Sequence, residues 1–175
     1  MFQKGDLVTY GCKGICEIKE ITTLQMDGIP RDRLYYEMQS LLAGSKIFTP
    51  VEPGQSKNVM RLVLTEDEAH RLLSRMPECV TFWVREDRAR EEVYREIINN
   101  CDAGGMLTMI RSLYARRRER VMQGRKLAAL DSRYLKIAED NLYAELALVL
   151  HVTREEIRDY VTRQVLALEG AIQPV

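Results

Sequence analysis

Near residue 64 the apolar residues of the chain change their spacing, and that change divides it into two halves that must be built differently. Before it, short apolar segments alternate with polar residues, the pattern of strands with one buried face. Val8 and Tyr10, then Ile15, then Ile18 and Ile21 lie in such segments, separated by Gly11 and Gly14. Leu34, Tyr35, Tyr36 and Met38 form another, Ile47 and Phe48 a fourth, and residues 59–63 a fifth. Turn residues punctuate them at 26–30, 42–45 and 53–58, with Asp27-Gly28 and Pro53-Gly54 as the strongest signals. Lys4-Gly5-Asp6 reads as an opening turn, and Pro50 should end the fourth strand. Five short strands in residues 1–64 cannot make a large open sheet; they predict a small curled antiparallel barrel, which leaves no exposed edge.

After residue 64 the period becomes 3.6. Thr65 and Glu68 form a capping box ahead of Ala69, Leu72 and Leu73, and this short helix should stop before Pro77. A helix from about 86 to 99 presents Ala89, Val93 and Ile97, and one from about 105 to 120 presents Met106, Ile110 and Leu113. Asp131 is the expected cap of the longest helix, whose Leu135, Ala138, Leu142, Leu146 and Val149 recur every three or four residues. Thr153 and Glu156 form a second capping box before Ile157, Val161, Val165 and Leu168, and residues 170–175 should fray. Such helices are stable only when their apolar stripes bury one another, which predicts a bundle of four or five. The expected fold is therefore α+β: a β-barrel domain at 1–64 and an all-helical domain at 65–175, with 65–80 as a short linking helix.

The chain carries 26 basic and 26 acidic residues, so its formal net charge is zero, which argues against an indiscriminate, strongly basic nucleic-acid coat. The distribution is uneven. Residues 1–64 are nearly neutral at +1, while residues 111–136 hold nine basic and two acidic residues, a +7 belt between segments 65–110 and 137–175 at −4 each. An apolar fraction of 46% is too high for a disordered chain. No run approaches 18 apolar residues and the start lacks a secretory signal, so a cytoplasmic protein without a membrane span is expected. Cys12, Cys16, Cys79 and Cys101 show no disulfide framework, and Cys12-x3-Cys16 lacks a second pair at knuckle spacing, with His70 and His151 as the sole histidines. No metal or cofactor is expected. Walker, dinucleotide and His-Glu-x-x-His motifs are all missing, and Glu91-Glu92 and Glu155-Glu156 read as solvated helix faces, so an enzyme is not expected.

Two places stand out. The belt is densest at Arg116, Arg117, Arg118 and Arg120, followed by Arg125 and Lys126, then Arg133 and Lys136. Such a run is either a solvated helix face or a phosphate-binding patch. Trp83, the single tryptophan, stands just before a helix with Arg85 and Arg88 close behind. It is either a residue buried at the junction of the two halves or an exposed wedge whose neighbouring arginines hold phosphates while the indole meets a distorted base step.

The chain resembles the CarD/CdnL family of bacterial transcription regulators over essentially its full length. The resemblance rests on residues 2–10 with Gly14, Ile15 and Ile18 to Ile21, and on Tyr35-Tyr36 and Phe48-Thr49-Pro50-Val51. In the helical half it rests on Trp83, Arg85 and Arg88, on Leu113-Tyr114 before the arginine run, and on Glu145-Leu146-Ala147-Leu148. It implies an N-terminal Tudor/SH3-like interaction domain, shared with the transcription-repair coupling factor, that docks on the RNA polymerase β subunit partly by edge pairing. Where that contact often uses an arginine, this chain has Phe48, and Leu24 stands where some members carry a basic residue. Leu24, Lys46, Ile47 and Phe48 are the implied polymerase contacts, with docking that is more apolar or uses Lys46. The helical domain is implied to meet promoter DNA at the upstream edge of the melted region and to stabilise the open complex. Trp83 would enter the minor groove there, with Arg85, Arg88, Arg133 and Lys136 as further DNA contacts. The resemblance implies association with the nucleoid through polymerase; a monomer is expected, with a domain-swapped dimer as the alternative. The alternative is an adaptor that keeps the barrel on polymerase and uses its helices on another protein, without DNA.

Overall fold

The computed structural model describes residues 1–24, 32–52 and 59–170 of the 175. The turns expected at 26–30 and 53–58, and the fraying expected beyond residue 170, lie outside the described residues. The chain forms two compact units: Met1–Val63 with Asn99–Cys101, and Leu64–Ile98 with Asp102–Val175.

In the first unit, β1 (Leu7–Tyr10), β2 (Ile15–Thr23), β3 (Leu34–Ser40), β4 (Lys46–Pro50) and β5 (Met60–Leu62) form one antiparallel sheet. The opening turn is present, with the Asp6 amide donating to Gln3 O at 3.1 Å and Gly5 at φ +90°. Paired residues share a face, so Val8, Cys16, Ile18, Met38 and Tyr36 line one side, and each is almost fully buried. Burying an aliphatic side chain of this size stabilises the fold by about 1.5–3 kcal/mol. The three-residue spacing of Ile18 and Ile21 breaks a period of two. A bulge between Ile18 and Glu20 absorbs the extra residue and returns Ile21 to the face of its partner Tyr36. Burial pushes the Cys16 thiol up to about 11, and the nearby Cys101 adds to that shift.

The expected barrel does not form. The strand order is β4-β3-β2-β1-β5, an open sheet with β4 and β5 at opposite edges. Closure would require those two edges to pair with a tilted, staggered register. With β5 only three residues long and β4 five, such a ladder would hold few hydrogen bonds. The expectation that short strands must remove their edges was the error: here the edges persist, blunted by brevity and by Lys46 on β4.

The second unit holds α1 (Glu66–Ser74), α2 (Asp87–Asn99), α3 (Ala103–Met122), α4 (Ala129–Val149) and α5 (Arg154–Gly170). Both capping boxes are formed: Thr65 Oγ1 accepts from the Glu68 amide and Thr153 Oγ1 from the Glu156 amide, each at 3.2 Å. In both, the glutamate carboxylate accepts the reciprocal amide, at 2.8 and 2.7 Å. Met106, Ile110 and Leu113 of α3 and Leu135, Ala138, Leu142 and Leu146 of α4 are buried, as are Ile157, Val161 and Val165 of α5. Glu145, fully buried on α4, accepts the Leu64 amide at 2.8 Å and fixes where this unit begins.

Two expectations need correction. The most buried row of α2 is Arg90, Tyr94 and Ile98, one residue on from the expected Ala89, Val93 and Ile97, which are half-buried. Asp131 does not cap α4; Ala128 occupies that position without a side-chain bond. Both shifts have one cause. Arg90 and Asp131 are an ion pair inside the bundle, with Nε to Oδ1 at 2.9 Å and side chains 3% and 2% exposed.

Candidate functional site

The segment between α1 and α2 carries Trp83 and is tied down by side chains from the helices. Arg111 on α3 donates to Met76 O at 3.0 Å, to Pro77 O at 3.3 Å and to Cys79 O. The Phe82 amide donates to Ser112 Oγ at 3.1 Å, and the Phe82 ring lies 6.4 Å from Tyr94, itself 5.4 Å from Tyr134. Beyond Trp83, Arg90 Nη1 donates to Val84 O at 2.8 Å and Arg85 O at 3.2 Å. Backbone on both sides of the tryptophan is therefore hydrogen-bonded to buried or half-buried side chains, which holds in place a strap that begins with a 3-10 turn at Met76–Glu78 and continues without regular structure.

Arg90 is the centre of this arrangement. Besides the strap carbonyls it reaches Asp131 at 2.9 Å and Asp87 at 2.7 Å, and Tyr94 donates to Asp131 at 3.2 Å. Burial opposes the Arg90 charge, but the hydrogen bonds and charges of Asp131 and Asp87 outweigh it and hold the guanidinium's pKa above its usual value. Burial, then the Asp131 charge and hydrogen bond, raise the Tyr94 phenol, which stays a neutral donor.

Trp83 is 36% exposed, and two guanidinium groups lie over its ring: Arg90 at 4.4 Å and Arg116 at 4.3 Å from the centroid. A cavity of about 490 Å³ opens beside it, lined by Trp83, Arg85, Arg90, Arg116, Arg120 and Asp131 among others. A second, of about 230 Å³, shares Trp83 and Arg116 and adds Ser112 and Glu119. The spot concentrates positive charge around one aromatic ring, an arrangement that can hold a phosphate beside a flat apolar surface.

The remaining residues singled out in the sequence are dispersed. Arg88 faces Glu92 at 3.6 Å, Arg133 reaches Glu91 at 2.7 Å, and Lys136 reaches Asp140 at 2.8 Å. Burial works against the Glu91 carboxylate, yet its bonds from Tyr134, Arg95 and Arg133 hold it below the usual range. In the arginine run, Arg116 pairs with Glu119 at 3.0 Å, Arg117 lies over the Tyr114 ring, and Arg120 donates to Lys126 O at 3.1 Å. Arg118, Arg125 and Lys126 are exposed. Among the described residues, the Arg85 side chain makes no hydrogen bond or ion pair. Thus the structure brings Trp83, Arg85, Arg116 and Arg120 to one cavity and leaves Arg88, Arg133 and Lys136 in exposed pairs elsewhere on the helices. Arg90 and Asp131 were missed as site residues; a charged residue in line with Tyr94 and Ile98 was the signal.

On the sheet, Lys46 and Phe48 stand on the same face of edge strand β4, with the ammonium 5.8 Å from the ring and 2.7 Å from Glu37. Phe48 is 40% exposed. Ile47 faces the other way, paired with Met38 and packed on the core. Leu24 follows β2 at the end of the sheet where Thr23 pairs with Leu34, whereas Lys46 pairs with Gln39 at the other end of β3. Lys46 and Phe48 come together; Leu24 is apart from them.

Among the described residues no group of three or more potential metal ligands occurs, and no helix is long and apolar enough to cross a membrane. The described residues thus form an open antiparallel sheet and a helical bundle that carries an aromatic, arginine-rich cavity. Residues 2–63 match the family model described as the CarD-like/TRCF RID domain, which is consistent with a transcription regulator of the CarD/CdnL family. The domain family is associated with RNA polymerase interaction in general. No curated protein matches the chain.

Proposed function

We propose that the protein docks on the RNA polymerase β subunit through edge strand β4 and contacts promoter DNA at the upstream edge of the transcription bubble through the Trp83 cavity. On this reading it works as a cytoplasmic monomer at the nucleoid. The observation that carries the DNA contact is the convergence of Trp83, Arg85, Arg116 and Arg120 on one cavity. Backbone groups on the open edge of β4 suit strand addition, with the exposed Phe48 beside Lys46 supplying an apolar and a cationic contact. Polymerase docking makes the DNA contact effectively intramolecular, so a modest cationic patch on a neutral chain suffices. A contact that favours unwound DNA shifts the closed–open equilibrium towards open. Promoter selectivity then follows the cost of distorting DNA rather than base readout.

The exposed pairs of Arg88, Arg133 and Lys136 favour the second reading, a protein-binding adaptor, since their acids already satisfy them. Surface pairs are worth about 0–1 kcal/mol, however, and phosphates can replace their carboxylates. Binding of labelled forked DNA over a salt series separates the two. The DNA reading expects salt-sensitive binding that is lost in Trp83→Ala and weakened in Arg85→Ala. Unchanged polymerase binding with no fork DNA binding by any form of the protein would leave the adaptor.

A further inference from the structure

The two guanidinium groups over Trp83 are held very differently. Arg90 is 3% exposed and bonded to Asp131, Asp87, Val84 O and Arg85 O, so it cannot leave the ring without stranding a buried carboxylate. Arg116 has a side chain 31% exposed, and its ion pair is with Glu119, whose side chain is 60% exposed. Such a pair is weak and exchangeable. Arg116 also lines both cavities beside the ring, and in the larger one it stands with Arg85 and Arg120. Four arginines line that cavity together with Asp87 and Asp131; those two carboxylates are bonded to Arg90, and of the other three arginines a phosphate would meet, Arg116 is the one covering the indole. A guanidinium–phosphate contact is charge-assisted and often bidentate, and outcompetes both an exposed carboxylate and a ring face.

We propose that Arg116 is a gate on Trp83: its guanidinium covers the indole in the free protein, and a DNA phosphate entering the cavity draws it away, so that backbone contact and ring exposure become one event. Arg90 stays in place and holds the ring's position. The proposal rests on the DNA-contact reading above and deepens it, since the part of the ring that Arg116 covers becomes available only where a phosphate is within reach. It gives the arginine two roles, charge and cover, that a substitution can separate.

The single tryptophan makes its accessibility directly readable. Acrylamide quenching of Trp83 emission in the full chain is measured alone and with inorganic pyrophosphate, which supplies phosphate without bases. Binding of labelled forked DNA is followed independently by anisotropy across salt concentrations. In the wild type, pyrophosphate should raise quenching. In Arg116→Gln the quenching should be higher from the start, on the order of twofold, and unresponsive to pyrophosphate. The same variant should lose about one unit of salt slope on forked DNA. Arg116→Lys should keep that slope, because it keeps the charge, yet show the raised quenching, because an ammonium covers less of the ring. A merely structural role would move both readouts together. Forked DNA bound with an Arg116-dependent slope while wild-type quenching ignores pyrophosphate would overturn the gate and spare the DNA reading. No binding of forked DNA at all would overturn both.

Discussion

Replacing Arg90 by Ala should destabilise the helical unit severely, and the size of the loss follows from what is left behind. The Arg90 and Asp131 side chains are 3% and 2% exposed, and their contact is a direct 2.9 Å charge-assisted bond. Without the guanidinium, the Asp131 carboxylate keeps the Tyr94 hydroxyl at 3.2 Å as its side-chain partner, and Val84 O and Arg85 O lose their donor. The bridge to Asp87 adds little, since that side chain is 81% exposed. Removing one member of a buried pair costs about 3–5 kcal/mol, a large share of the roughly 5–15 kcal/mol that stabilises a typical domain. Asp131→Ala should cost less, because the arginine keeps Asp87 at 2.7 Å and the Val84 and Arg85 carbonyls. Exchanging both residues for apolar ones, Arg90→Met with Asp131→Leu, removes both charges and should cost clearly less than the two single losses added together. Urea unfolding followed by far-ultraviolet circular dichroism measures the global loss, and Trp83 emission reports the strap on the same samples. Single losses below about 1 kcal/mol, or a double variant that loses the full sum, would refute the reasoning.

Two further perturbations have definite expected outcomes. Thr65→Ala removes the acceptor for the Glu68 amide at the start of α1 and should cost about 1 kcal/mol by chemical denaturation, with Thr65→Asp restoring most of it. Burial raises the Tyr94 and Tyr143 phenols above their ordinary value of 10, with the Asp131 charge adding at Tyr94 and Tyr114 at Tyr143. A folded pKa above the unfolded one gives stability that is complete below about pH 10 and is lost as pH rises beyond it. In tyrosinate absorbance Tyr94 and Tyr143 should ionise only as helicity collapses; all eight tyrosines ionising with the helices intact would contradict the burial.

Much of the local structure was legible because it depends on neighbours in the chain. The capping boxes at Thr65 and Thr153 and the rows Met106–Ile110–Leu113 and Leu135–Ala138–Leu142–Leu146 are short-range patterns, and the structure forms them as read. What failed depends on partners far away in sequence. Whether β4 and β5 pair is decided by register across the whole sheet, which alternation along one strand does not encode. Arg90 looks like a surface residue until Asp131, 41 positions on, neutralises it inside the bundle. For the same reason Trp83 and the arginine run were legible as separate unusual features, while their meeting was not: Arg116 reaches the indole from α3, and Arg90 from α2. The charge arithmetic has a similar lesson. Part of the +7 belt is taken up within the protein, Arg111 on strap carbonyls and Arg133 on Glu91, so the cations left around Trp83 are fewer than the segment total implies.

The central claim is that this protein, delivered by RNA polymerase, acts on melted promoter DNA through Trp83. The lifetime of the open complex on one promoter, measured after a competitor challenge with wild type, Trp83→Ala and no added protein, tests it most directly. The account predicts that the wild type prolongs the lifetime and that Trp83→Ala does not, while both bind polymerase equally. A Trp83→Ala variant that prolongs the open complex as well as the wild type would contradict it.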